Sequence, residues 1–335
     1  MDVRAPLRVL ACDDARDLAS TVADHLRVPL VKSSDTWFAC LEGKHVIDVN
    51  VRGSDVYLFQ QPVLPGSERT VYDRMMMLLH AVDAARHSDA GRVTVVLPYL
   101  PGSRQDKRKG RTREGVSTAL FARLFQAAGV SMVITVEPHN EAVVGCFDPR
   151  QCVLEPVYVH RPFSRWLLQN GLVGDVVAST DVGGLQLARR FAKAMSRGLV
   201  ALSKERDYSL PNTVASTTVI GHVAGKSVLI IDDIIDTAGS AVAAVEALWE
   251  GGATDITLAT IHPLLSAPAW ERLHGLADQA KARGVAFRVA GTSSVVHADA
   301  PTWYRSFGLE PLLADVISTV NARGSVRELT EEGSA

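Results

Sequence analysis

Short apolar runs alternate with segments of helical period along almost the whole chain. That is the pattern of parallel strands whose faces are covered by helices. In the first half, "LRVLAC", "DVYLFQQ", "RVTVVLPYL" and "VSMVITVEPH" read as strands. Between them, "ARDLASTVADHL" places Leu18, Val22 and Leu26 on one helical face. "VYDRMMMLLHAVDAARHSDA" and "STALFARLFQAAG" read as two further helices, the second expected to open on Ser117 as N-cap and to stop at Gly129. The second half repeats the style, with strands "DVVAST", "GLVALSK", "SVLIIDD" and "ITLATIH" and helices "GLQLARRFAKAM" and "SAVAAVEALWEGGA". Two copies of one doubly wound α/β unit are expected. Between the second and third of these strands, "ERDYSLPNTVASTTVIGHVAG" is β-prone and turn-rich, and reads as a hairpin or flap. The segment after Ala322 is polar and expected to fray.

Composition narrows the function classes. A chain of 335 residues, 47% hydrophobic, has length enough for two domains, each with its own core. A formal net charge of -2 argues against a general nucleic-acid binder, which needs a basic surface. No apolar run approaches the roughly 20 residues that span a bilayer, and the first residues, "MDVRAPLRVLACDDARDLA", lack a long apolar signal region. Cys12, Cys40, Cys146 and Cys152 are scattered without a CxxC spacing. They read as reduced thiols of a cytoplasmic protein, with no zinc or redox role expected from that spacing.

The most informative stretch is "VLIIDDIIDTAGS", residues 228–240. Four apolar residues run into Asp232 and Asp233, a third acid follows at Asp236, and a small-residue turn leads into a helix. In open α/β sheets ligands bind at the carboxyl ends of strands. Asp236, Thr237, Ala238, Gly239 and Ser240 offer unblocked backbone N–H groups and two hydroxyls at the positive end of the following helix, a phosphate site. Gly239 permits close backbone approach. Asp232 and Asp233 can accept hydrogen bonds from vicinal hydroxyls. Together the two parts describe a sugar-phosphate site. The plainer alternative is a strand-end acid pair that merely caps a helix.

This stretch resembles the ribose-phosphate loop of type I phosphoribosyltransferases. Several further segments narrow the resemblance to the ribose-phosphate pyrophosphokinase family: "LPYLPGSRQDKRKGRTREGVSTALFARLFQAAG", "TVEPHN", "STDVGGLQLARRFAKAM", "LSKERD", "IHPLLSAPAWERL" and "LEPLLADVI". They occur in the family's order across nearly the whole chain. The resemblance implies two type I phosphoribosyltransferase-like domains, each a mainly parallel sheet flanked by helices. Residues 1–158 would form the nucleotide side, 159–322 the domain with the ribose 5-phosphate loop, and 323–335 a polar tail. It implies transfer of the β,γ-diphosphoryl group of ATP to the 1-hydroxyl of ribose 5-phosphate, with release of AMP. By the same resemblance, Lys204 and Arg206 are the basic pair for the transferring group, and Arg104, Gln105 and Asp106 belong to the nucleotide segment. His139 and Asp181 match the family's Mg²⁺ site. Homo-oligomers built from dimers, often hexamers, are also implied.

The chain departs from the family in places. Where relatives carry Phe-x-Asp-Gly-Glu in a nucleotide loop, this sequence reads Phe38-Ala39-Cys40-Leu41-Glu42. Phe38 and Glu42 keep the aromatic and the acid, but Cys40 is a poor substitute for an acceptor. Leu41 removes a glycine's freedom, so another loop path and a relaxed preference for adenine are expected. The basic run after Asp106 is one residue longer, and Gly115 stands where relatives have proline. Two other readings remain open at this level: a phosphoribosyltransferase that consumes the diphosphate, and a non-catalytic regulatory paralogue within a synthase oligomer.

Overall fold

The computed structural model describes residues 5–108, 110–206 and 214–331, with the side chains of 204–206, 214–216 and 331 outside that description. The chain forms two compact units, one ending at Tyr158 and regaining the chain from Gly308 onward, the other spanning Val159–Phe307.

In the first unit the apolar runs become β1 (Leu7–Ala11), β4 (Asp55–Phe59), β5 (Arg92–Leu97), β6 (Met132–Val136) and β7 (Val153–Val157). They form one parallel sheet in the order β1-β4-β5-β6-β7, with Leu10 beside Leu58 and Leu58 beside Val95. β4 is buried at every position, as a strand with neighbours on both edges and helices over its faces must be. Helices α1 (Arg16–Leu26), α2 (Val71–His87) and α3 (Ser117–Ala128) supply the covering side chains. Val22, Leu78 and Phe125 are fully buried. Thr70 and Asp73 close a reciprocal capping box at the start of α2. A short antiparallel hairpin, β2 (Ser33–Trp37) with β3 (Gly43–Ile47), stands apart from this sheet. Neither it nor β7 was anticipated.

The second unit begins with α4 (His160–Gln169). It continues through β8 (Val176–Ser179), α5 (Leu185–Met195), β9 (Gly198–Arg206), β10 (Val214–Ile220), β11 (Val228–Ile235) and α6 (Gly239–Glu250). It closes with β12 (Ile256–Pro263), α7 (Ala269–Arg283), β13 (Phe287–Thr292) and β14 (Tyr304–Phe307). The sheet order is β10-β9-β8-β11-β12-β13-β14, parallel except for the β9–β10 pair. The expected flap therefore has two antiparallel arms, and its residues 207–213 lie outside the described residues.

From β8 the chain first adds β9 on one side and then β11 on the other. That reversal opens a crevice between β8 and β11 at their carboxyl ends, the place where open α/β sheets bind ligands. In the first unit the reversal is reduced to one parallel bridge, Val9 with Leu30, on the side of β1 away from β4. The two halves are thus unequal versions of one plan.

The last helices, α8 (Glu310–Asn321) and α9 (Val326–Glu331), depart from the expected division of the chain. α8 packs on α1, and Asn321 Nδ2 donates to the buried Asp55 Oδ2 at 3.0 Å. Residues 308–322, expected in the second domain, therefore belong with the first unit. The segment expected to fray carries a further turn of helix, with Val326 and Thr330 buried.

Candidate functional site

Val228 to Ile231 are buried because β11 sits between β8 and β12. The strand does not stop at its acids: it runs on to Ile235, pairing Ile234 with His262 and Ile235 with Pro263. Asp232 and Asp233 are half-buried. Thr180, just past the end of β8, donates its hydroxyl to Asp232 Oδ2 at 2.7 Å, and the Asp233 N–H donates to Asp232 Oδ1 at 3.0 Å. Burial, and then the Asp233 carboxylate, push the Asp232 carboxyl above the usual carboxylate range. The Thr180 hydrogen bond opposes that rise and Asp181 adds to it.

This shift has a consequence for stability. A folded-state carboxyl that holds its proton above the unfolded value of about 4 makes the folded chain bind more protons than the unfolded one, so stability falls as pH rises through that window. Asp232→Asn removes this titration. Its amide oxygen can still accept the Asp233 N–H, but an NH₂ group replaces the oxygen that accepts the Thr180 hydroxyl, an offset that does not vary with pH. The melting temperature of the unliganded wild type should therefore fall relative to Asp232→Asn between about pH 5 and about pH 8. A difference that stays constant with pH would assign the proton elsewhere.

Beyond the strand, Asp236 is half-buried, Thr237 exposed, Ala238 buried, and Gly239 and Ser240 exposed. Ala238 takes a left-handed conformation, φ 60°, and among the described residues no side chain caps α6. The first amides of α6 are thus left for a ligand. Arg272 on α7 donates from Nη1 to the Thr237 carbonyl at 2.7 Å. A side chain at Gly239 would come within 3.3 Å of that same nitrogen. Arg272 thus grips the turn from outside. It lies inside a segment quoted above, but nothing in its spacing pointed to this contact, and Thr180 was missed for the same reason.

Asp181 stands on the other side of the crevice, in the turn from β8 to α5. Its Oδ1 accepts the Gly184 N–H at 3.1 Å, and its backbone carbonyl accepts the Ser179 hydroxyl at 2.7 Å. The switch point thus brings together Thr180, Asp181, Asp232 and Asp233. The side chains of Lys204 and Arg206, at the end of β9, lie outside the described residues.

The first unit carries the other expected residues. Arg104, Gln105 and Asp106 lie in the loop between β5 and α3. Ser117 does not cap α3; it sits inside the helix and donates its hydroxyl to Gln105 Oε1. The Thr118 N–H donates to the Gln105 carbonyl at 3.4 Å, and the Thr118 hydroxyl to the Gly102 carbonyl at 2.9 Å. Gly129 does end the helix, with φ 85°. Asp106 Oδ2 accepts from Asn140 Nδ2 at 2.6 Å. Asn140 follows the exposed His139 just beyond β6, so Asp106 is anchored beside His139. The sequence signal for Asn140 was only its place after that histidine.

Phe38 and Glu42 flank the turn of the β2–β3 hairpin, where the Phe38 N–H donates to the Glu42 carbonyl at 2.8 Å. Phe38 is 47% exposed, with Lys44 Nζ 5.8 Å from its ring centroid. Leu41 is 66% exposed at φ 71°. The backbone there takes the conformation glycine favours, at a steric cost for leucine. Leu41→Gly should raise stability by about 0.5–1 kcal/mol, the strain relieved less the entropy that glycine adds to the unfolded chain. Urea unfolding measures this, and a destabilised variant would mean that Leu41 packs on something it needs.

Known proteins share both units. Residues 7–129 match the N-terminal domain of ribose phosphate pyrophosphokinase, and residues 161–281 match the phosphoribosyl transferase domain. The ribose-phosphate pyrophosphokinase of Halalkalibacterium halodurans is 36% identical over 267 residues, which are 80% of this chain and 81% of that protein. The enzyme of the same name from Corynebacterium ammoniagenes is 35% identical over 267 residues, with the same coverage. The crystal structure of phosphoribosylpyrophosphate synthetase from Mycobacterium smegmatis superimposes with a TM-score of 0.82 at 30% identity, covering 95% of this chain and 100% of that one.

Proposed function

Because the chain belongs to the ribose-phosphate pyrophosphokinase family, we propose that its own residues perform the family reaction on ATP and ribose 5-phosphate. The β,γ-diphosphoryl group of ATP passes to the 1-hydroxyl of ribose 5-phosphate, giving phosphoribosyl diphosphate and AMP. The observation that carries this reading is the acid-bearing strand end that runs into an uncapped helix N-terminus, at the switch point of the second sheet.

The 5-phosphate rests on the amides of residues 237–240 and the hydroxyls of Thr237 and Ser240, where the helix dipole favours an anion. Arg272 holds that turn in shape through the Thr237 carbonyl. Asp232 and Asp233 accept the ribose hydroxyls, which fixes the sugar with its 1-hydroxyl toward the incoming phosphates. Lys204 and Arg206 balance the charge of the diphosphoryl group in transit. Arg104 and Gln105 hold the nucleotide, with Asp106 keeping their loop against Asn140, and Phe38 and Glu42 complete the nucleotide side.

Asp181, Asp232 and Asp233 form a close set of carboxylates, and Asp181 acts electrostatically on Asp232. Such hard oxygen donors suit Mg²⁺, which binds through few protein carboxylates and the substrate's phosphates. The family resemblance assigns Asp181 and, separately, His139 to the ion. When bound, the ion neutralises phosphate charge. We place the protein in the cytoplasm as a homo-oligomer, a dimer or a hexamer built from dimers, with no nucleic-acid or membrane partner.

The site reads a phosphate and a vicinal diol together, and binding measures that directly. Ribose 5-phosphate should raise the melting temperature in a concentration-dependent way. 2-Deoxyribose 5-phosphate should bind about tenfold to a hundredfold more weakly, because one carboxylate loses its partner. Equal affinity for the two sugars would refute the role given to the acids.

A further inference from the structure

We propose that Cys12, Asp35 and His45 form a binding site for a zinc-class divalent cation in the first unit, separate from the sugar-phosphate crevice. Their positions in sequence hide the site; the fold assembles it. Cys12 follows β1 at its carboxyl end, where its N–H donates to the Phe59 carbonyl at 3.1 Å. This end lies at the reduced reversal of the first sheet, between β4 and the Val9–Leu30 bridge. Asp35 and His45 are direct cross-strand partners in the β2–β3 hairpin. Three hydrogen bonds tie that hairpin to the end of β1. The Ser33 hydroxyl donates to the Ala11 carbonyl at 3.1 Å, the Asp13 N–H to Asp35 Oδ2 at 2.8 Å, and the Asp35 N–H to Asp13 Oδ2 at 3.1 Å.

As a result, Cys12 Sγ, an imidazole nitrogen of His45 and a carboxylate oxygen of Asp35 all lie within 4.8 Å of one another. Cys12 is fully buried, and the side chains of His45 and Asp35 are 0% and 5% exposed. His45 Nδ1 meets Asp35 Oδ1 at 2.7 Å, while Nε2 is buried with no hydrogen-bond partner among the described residues. A buried imidazole so incompletely satisfied is costly unless the site receives something more. The neighbouring acids are already matched: Asp13 pairs with Arg16, and Asp14 with the buried Arg74 at 2.8 Å. Among the described residues Asp35 pairs with no arginine: one oxygen meets the imidazole and the other accepts the Asp13 N–H.

A thiolate, an imidazole and a carboxylate make a donor set for a borderline-soft ion such as Zn²⁺, whereas Mg²⁺ takes oxygen. Binding displaces the Cys12 thiol proton to solvent, and the sulfur's electron pair goes to the ion. The ion would fasten the hairpin that carries Phe38 and Glu42 to the end of β1.

Cobalt(II), a spectroscopic substitute for Zn²⁺, tests this on the metal-stripped full-length chain in excess Mg²⁺. Titration should give thiolate-to-cobalt charge-transfer absorption that saturates near one ion per chain and is abolished by added Zn²⁺. Cys12→Ser should remove that absorption, Cys40→Ser should keep it, and Asp35→Asn should weaken cobalt binding by about tenfold to a hundredfold. If the unmodified protein shows no thiolate absorption, the three residues are only a hydrogen-bonded trio and the proposal falls. It falls equally if folded Cys12→Ser retains the absorption.

Discussion

Lys204→Ala should lower kcat by at least about a hundredfold while leaving the KM for ribose 5-phosphate within a few fold of wild type. The diphosphoryl group carries its dense negative charge whether it is bound or moving. What changes in the transition state is where that charge lies, and a fixed ammonium placed for the moving group acts mainly there. Loss of one such positioned charge costs about 3 kcal/mol or more of transition-state stabilisation. Steady-state kinetics with each substrate varied in turn separates the two parameters. A variant that kept full kcat and lost only substrate affinity would remove Lys204 from the transfer step.

Asp233→Ala should show the opposite division. The KM for ribose 5-phosphate should rise by about tenfold to a hundredfold, because a hydrogen bond to a charged acceptor contributes about 1.5–3 kcal/mol. Asp232 is the less informative position for this test. Its two oxygens already hold the Thr180 hydroxyl and the Asp233 N–H, so its loss would disturb the loop as well as the ligand. With saturating sugar, Asp233→Ala should recover most of its rate. If kcat fell and KM did not move, Asp233 would be acting on the reacting group and the site would need to be reassigned.

Much of this molecule was legible in the sequence, for identifiable reasons. Strands buried on both faces need continuous apolar runs, and "VLII" and "VYLF" show them; helices with one covered face show a period, as in Leu18 and Val22. The acid-bearing strand end was legible because it is local, packed into one strand and the turn that follows. What was not legible depends on distant contacts. The β2–β3 hairpin has only Ser33 and His45 buried, so "SSDTW" and "GKHVI" carry no apolar alternation to announce it. α8 has an ordinary amphipathic sequence that does not say which unit it covers; α1 and Asp55 decide that. Ser117 looked like a cap because serine often is one, yet Gln105 claims its hydroxyl. Arg272, Thr180 and the Cys12–Asp35–His45 group are brought to their places by folding alone.

In the proposed reaction a diphosphoryl group, and not a single phosphoryl group, leaves ATP. The direct measurement is the nucleotide product formed by the purified chain from ATP, ribose 5-phosphate and Mg²⁺, separated by chromatography. AMP should form in equal amount to phosphoribosyl diphosphate, with no nucleotide turnover when ribose 5-phosphate is omitted. Release of ADP in its place, or no turnover at all from folded protein with both substrates present, would contradict it.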